Sequence, residues 1–164
     1  MHYFANFNNL FLNKFSFWFT IIVNLLYISG QNFVPAFLYI ASGVMLVHYR
    51  FCQERLQQCP TPMAVGPKGT GKTTAAKVFL SLTGHGNKNL VRQLSEVECM
   101  TQSSMSSFPY VYDDPDNMVS VKALINNLFN GQAKSTTRRI LQPKTGCMFT
   151  LNTEKLATLL KGFQ

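Results

Sequence analysis

Gly66-Pro67-Lys68-Gly69-Thr70-Gly71-Lys72-Thr73 places two glycines, a lysine and a hydroxyl at the spacing G-x-x-x-x-G-K-[ST], filling every fixed position. A chance match in a chain this long is on the order of one in a hundred. A triphosphate's anionic oxygens need many convergent N–H donors. Gly69 and Gly71 let the backbone curl closely around them, with Gly66, Thr70 and Thr74 completing the cradle. Lys72 is placed to reach the β- and γ-phosphates, and the Thr73 hydroxyl to ligate Mg2+, which prefers hard oxygen donors. Lys68 holds a variable position, either on the phosphates or as solvated charge. The bland alternative is a Gly-rich turn before a helix.

Hydrolysis needs a second metal ligand and a group that orients water. Forty-one residues beyond Lys72, Phe108-Pro109-Tyr110-Val111-Tyr112 runs into Asp113 and Asp114. In that setting Asp113 would hold Mg2+ through its water shell and Asp114 would polarise the attacking water. Paired acids after a strand also serve as turns or helix caps, a reading open to Asp114-Pro115-Asp116-Asn117. Further on, Gly146-Cys147-Met148-Phe149-Thr150-Leu151 is a third apolar run, tipped by Asn152.

These groups need a strand, loop and helix framework. Met63–Val65 reads as a short buried strand, and Thr74–Leu82 as the helix whose N-terminus faces the phosphates. Asn32–His48 has Pro35 near its start and apolar Phe37, Ile40, Val44 and Val47 at helical intervals. It continues into Arg50, Glu54 and Arg55 as a helix packed on the domain. His48 carries no assigned chemistry.

The three motifs in this order resemble the additional-strand class of P-loop ATPases, the AAA+ proteins and particularly the superfamily 3 helicases of viruses and mobile elements. The match runs over about 61–152 and extends back to the helix near Phe33. It implies an α/β, three-layer core with a mostly parallel sheet, in which the Asn-tipped strand lies between the Walker A and Walker B strands. Another strand at Asn89–Leu94 and a helix around Ser95–Thr101 are then required, with nucleotide at the carboxyl ends of the strands. Asn152 takes the sensor 1 role on the γ-phosphate or lytic water, the ligands are ATP and Mg2+, and the family assembles into homo-oligomeric rings. Asp114 stands where many AAA+ proteins use Glu, one methylene longer. After Asn152 twelve residues remain, enough for one helix; a fifth strand, a distal arginine finger and a helical lid have no room, so the core reads as incomplete at its C-terminus. GTPases would show Asn-Lys-x-Asp, whereas Asn87-Lys88-Asn89-Leu90 lacks the acid, and the Arg-rich lid of small-molecule kinases has no counterpart.

Between the acids and Asn152, residues 131–146 carry Lys134, Arg138, Arg139 and Lys144 without an acid. In superfamily 3 helicases this interval resembles the hairpin that contacts DNA or RNA phosphates in the ring pore. Four uncompensated cations would make such binding salt-sensitive. Arg138 or Arg139 completing a neighbour's ATP site, and a solvated basic loop, are the alternatives.

Composition divides the 164 residues. Residues 1–53 hold no acid, two basic residues, nine of the fourteen Phe and four of the six Tyr. The remainder carries thirteen basic and seven acidic residues, a balance of +6. A low charged fraction of 13% with 46% hydrophobic residues excludes disorder, collagen and coiled coil. Cys52, Cys59, Cys99 and Cys147 have no metal-site or disulfide-framework spacing and read as reduced, buried thiols. Residues 1–32 form an apolar leader. Within it 10–29 is close to the ~20 residues that cross a bilayer, and a membrane anchor, a cleaved signal and a buried leader remain open. The core is then 33–164, with its leading helix at 33–58. A nucleotide-binding protein without turnover, tethered to a membrane, is the alternative function.

Overall fold

The computed structural model describes residues 32–84, 89–137 and 139–161. The expected anchor at 10–29 lies outside them, as does Arg138. Among the described residues the chain forms six helices, a four-stranded parallel sheet and a small antiparallel hairpin. The helices are α1 (Phe33–Val47), α2 (Tyr49–Leu56), α3 (Lys72–Leu82), α4 (Glu96–Met105), α5 (Met118–Phe129) and α6 (Thr153–Lys161). The strands are β1 (Met63–Val65), β2 (Leu90–Val91), β3 (Tyr110–Asp113), β4 (Lys134–Ser135), β5 (Ile140–Leu141) and β6 (Cys147–Leu151).

The sheet order is β1-β6-β3-β2, all neighbours parallel. The Asn-tipped strand therefore runs between the strand before the Gly-rich loop and the strand before the two acids. Both central strands are buried throughout, which explains why they read as unbroken apolar runs. Alternate residues feed two cores. Val111 and Met148 face α1, α2 and α3, with Phe79, Leu80 and Leu46 fully buried around them. Tyr110, Tyr112, Cys147 and Phe149 face the other way, into Leu124, Leu128, Met100 and Leu159 of α4, α5 and α6. The chain is thus α/β with helices on both faces of a parallel sheet. All four cysteines are buried free thiols.

Local signals set the helix starts. Ser95 and Glu98 form a reciprocal capping box that opens α4, so the helix lies at Glu96–Met105, beyond the expected Ser95–Thr101. Asn117 accepts the Ser120 N–H at the start of α5. The expected strand at Asn89–Leu94 contracts to Leu90–Val91 because Ser95 already caps the next helix.

The leading helix departs from expectation in two ways. It breaks at His48 into α1 and α2, bent by 77°, without a proline or glycine at the break. Bonds to remote parts of the chain, one accepted by a carbonyl of α1 and two donated by side chains of α2, redirect the chain. Buried Thr145 donates its hydroxyl to the Leu46 carbonyl at 3.3 Å, while Tyr49 and Gln53 bond the Leu128 carbonyl at the end of α5. The buried stripe is also offset, to Tyr39, Ile40, Gly43 and Leu46, leaving Phe37 and Val44 exposed. Gly43 is the reason: a Cβ there would stand 2.6 Å from Met148 Sδ and 2.7 Å from the Phe79 ring, so only glycine lets α1 approach so closely. Among the described residues no single helix is long and apolar enough to cross a membrane.

Candidate functional site

The carboxyl ends of β1, β3 and β6 converge on one cleft of about 570 Å³. Its walls include Lys72, Thr73, Asp113, Asp114 and Asn152, residues separated by up to eighty positions in the chain. The loop after β1 turns on Gly69 and Gly71, both at φ +86°, where a side chain would be strained although nothing crowds the space. Gly71 hands the chain to α3, whose first turn carries Lys72, Thr73 and Thr74, so its free N–H groups and positive dipole end face the cleft. Lys68, Thr70 and Thr74 also line the cleft, whereas Gly66 does not, and its carbonyl accepts from Lys72.

Lys72 folds its ammonium onto the loop, donating to the Gly66 carbonyl at 2.8 Å and the Pro67 carbonyl at 2.7 Å. It also reaches Asn152 Oδ1 at 3.3 Å, and Asn152 donates through Nδ2 to Asp114 Oδ2 at 3.1 Å. Lysine, amide and second acid thereby form one continuous chain across the cleft.

Asp113 is almost fully buried at the tip of β3. Its Oδ1 accepts two hydroxyls, from Thr73 at 2.8 Å and Thr150 at 2.6 Å, and its Oδ2 accepts Arg92 Nε at 3.0 Å. Burial alone would raise the carboxyl's pKa; the bonds from Thr150, Thr73 and Arg92, with the guanidinium charge, outweigh it and hold the pKa below the ordinary 3.8. Asp114 adopts a left-handed backbone, φ +50°, an uncommon conformation that costs a non-glycine residue strain. Its N–H is tied to the Thr150 carbonyl at 2.9 Å. Lys155, from the first turn of α6, lies 3.2 Å from Asp114 Oδ1, an ion-pair contact with no hydrogen bond aimed at that oxygen. The same ammonium bonds the Asp114 carbonyl at 3.0 Å and Asp116 Oδ1 at 2.9 Å.

The donor set suits a hard divalent cation. Thr73 Oγ1 and Asp113 put hard oxygen atoms side by side, and Mg2+ commonly takes one or two protein oxygens and completes its octahedron with water and phosphate. Among the described residues no cluster of three His, Cys, Asp or Glu exists that could hold a metal by itself, so such an ion would need an anionic co-ligand from the cleft.

The basic segment behaves differently. Lys134–Ser135 and Ile140–Leu141 pair as the β4–β5 hairpin, closed by Thr136 and Arg139 through mutual backbone and hydroxyl bonds. Lys134 is not uncompensated as its sequence neighbourhood implies, because its ammonium pairs with Glu96 of α4 at 2.6 Å. That partner lies thirty-eight positions away and enters only through the packing of α4 beside the hairpin. Lys134, Arg139 and Lys144 do not line the cleft.

Three residues of the site have no motif of their own: Arg92 just past β2, Thr150 within β6, and Lys155 in α6. Thr150 had a faint signal, as a polar residue inside a fully buried strand. No family model and no curated protein sequence matches this chain.

Proposed function

We propose that this chain is an Mg-ATP-binding P-loop ATPase domain of the AAA+ or superfamily 3 helicase type, acting on nucleic acid. One observation carries the reading: five side chains with phosphate and metal chemistry, Lys72, Thr73, Asp113, Asp114 and Asn152, share one cleft at the ends of parallel strands, next to a helix N-terminus. Backbone N–H groups of the Gly69–Thr74 turn would cradle the phosphates. Lys72 would exchange its two carbonyl partners for the β- and γ-oxygens, a gain because charged acceptors bind an ammonium more strongly than neutral ones. Thr73 and Asp113 would hold the cation, which when bound neutralises charge developing on the phosphates. Asp114 would accept the proton of the attacking water, and Asn152 would orient it. Among the described residues of the basic segment, Arg139 in the hairpin and Lys144 beyond it are the cations left to meet nucleic-acid phosphates.

A second reading, nucleotide binding without turnover, is favoured by Lys155. An ammonium 3.2 Å from Asp114 Oδ1 stands at the oxygen an attacking water would approach, while Asn152 Nδ2 already occupies Oδ2. Measuring Mg-ATP affinity and turnover of the full chain, with and without single-stranded DNA and beside Lys72→Ala, separates the two. DNA-stimulated turnover lost in the variant supports the ATPase. Binding without turnover supports the second reading, and no binding overturns both.

A further inference from the structure

Arg92 stands outside every sequence motif, yet its guanidinium makes the most direct charged contact with the buried acid of the cleft. Oδ1 of Asp113 is saturated by the Thr73 and Thr150 hydroxyls, so Oδ2 is the oxygen left for a cation. Both Nε and Nη2 of Arg92 converge on that oxygen, each at 3.0 Å. The acid's side chain is 3% exposed while Arg92's is 68% exposed. Arg92 follows the two-residue edge strand β2 and projects into the same cleft as Lys72 and Thr73. It can therefore leave Asp113 without opening any core.

We propose that Arg92 is a built-in surrogate cation, which neutralises Asp113 and competes with a divalent metal for its Oδ2. The inference rests on the phosphate-site reading above. With Arg92 in place, Asp113 does not repel an incoming polyphosphate even when no metal accompanies it. Thr73 and Asp113 would hold the metal, and the exposed guanidinium would then yield Asp113 to it and move to solvent. Arg92 thus dampens the dependence of nucleotide binding on metal.

The test is the affinity of the full chain for ATP, measured by calorimetry in MgCl2 and again in EDTA. The ratio of the two affinities is the coupling between metal and nucleotide. In Arg92→Gln the metal-free affinity falls and the competitor for metal is gone, so the ratio rises roughly five-fold, the upper end for an ion pair with so exposed a cation. Arg92→Lys keeps the charge and returns most of that rise. An unchanged or smaller ratio in Arg92→Gln, with ATP still bound, overturns the inference and leaves the phosphate site standing. Equal affinity in MgCl2 and EDTA for both the wild-type chain and Arg92→Gln does the same. Failure of the wild-type chain to bind ATP under either condition removes both.

Discussion

Thr150→Val tests whether the buried acid is held by the hydroxyls around it. Thr150 is fully buried; its Oγ1 donates to Asp113 Oδ1 at 2.6 Å and lies 3.2 Å from the Asp114 N–H. Valine keeps the shape and leaves no orphan, since Thr73 still bonds Oδ1 and the Thr150 carbonyl still takes the Asp114 N–H. The loss is then one hydrogen bond to a charged acceptor, worth about 2 kcal/mol. For a chain of this size that lowers Tm by roughly 6–8 °C. The pH dependence identifies the cause. Asp113's folded-state pKa is depressed, so its contribution is fully present above its unfolded value of 3.8 and is lost as pH falls through the lower folded value. In urea denaturation of the full chain, the cost of Thr150→Val should shrink to about 1 kcal/mol at acid pH, where a protonated carboxyl offers only a neutral hydrogen bond. Thr150→Ser, which keeps the hydroxyl, should retain the pH dependence. A cost below about 0.5 kcal/mol, or one equal at neutral and acid pH, refutes the reasoning.

Other perturbations probe the frame and the site. Gly43→Ala should destabilise by about 1–2 kcal/mol in urea denaturation, because overpacking against buried Phe79 and Met148 exceeds alanine's helix preference; a stability at or above wild type contradicts the tight approach of α1. Tyr49→Phe should cost about 1 kcal/mol by the same measurement, leaving the Leu128 carbonyl to Gln53 at 3.2 Å. Lys155→Gln should raise ATP turnover by roughly five-fold without moving KM, as the ammonium no longer stands over Asp114 Oδ1; a fall in turnover shows that Lys155 positions Asp114 instead. Arg139→Gln and Lys144→Gln should each shallow the salt dependence of single-stranded DNA binding, by about 0.7 in log–log slope for each phosphate no longer neutralised. Lys134→Gln should leave that slope unchanged, since its charge is committed to Glu96.

What could be read from the sequence follows how far each signal reaches along the chain. The Gly66–Thr73 loop is legible because each requirement is local: φ +86° at Gly69 and Gly71 is satisfied within the loop itself. The strands β3 and β6 are legible because burial on both faces leaves continuous apolar runs. The bend at His48 is not, because its causes are remote: Thr145 lies 99 positions from Leu46, and Leu128 lies 79 positions from Tyr49. The offset of α1's buried face is hidden similarly: a hydrophobic period identifies an amphipathic helix, but the glycine that permits the closest approach decides which stripe turns inward.

The site shows the same division more sharply. Parallel register pairs Asp113 with Thr150 and Val91 with Tyr112, so Arg92, one residue past its pair, arrives beside Asp113. A guanidinium, a carboxylate and a hydroxyl thus line up across β2, β3 and β6. None of these contacts follows from spacing along the chain, since a slip of one residue in either pairing would turn Thr150 or Arg92 away from the acid. Motifs mark the residues that must meet a ligand, each in a local turn or strand end. The residues that set how strongly Asp113 holds its charge come from neighbouring strands, and their identity is constrained only after the sheet order exists. Variation at Arg92 or Thr150 should accordingly alter metal dependence and acid stability while leaving the loop's own geometry intact, a separation that the affinity ratio and the pH-resolved denaturation measure independently.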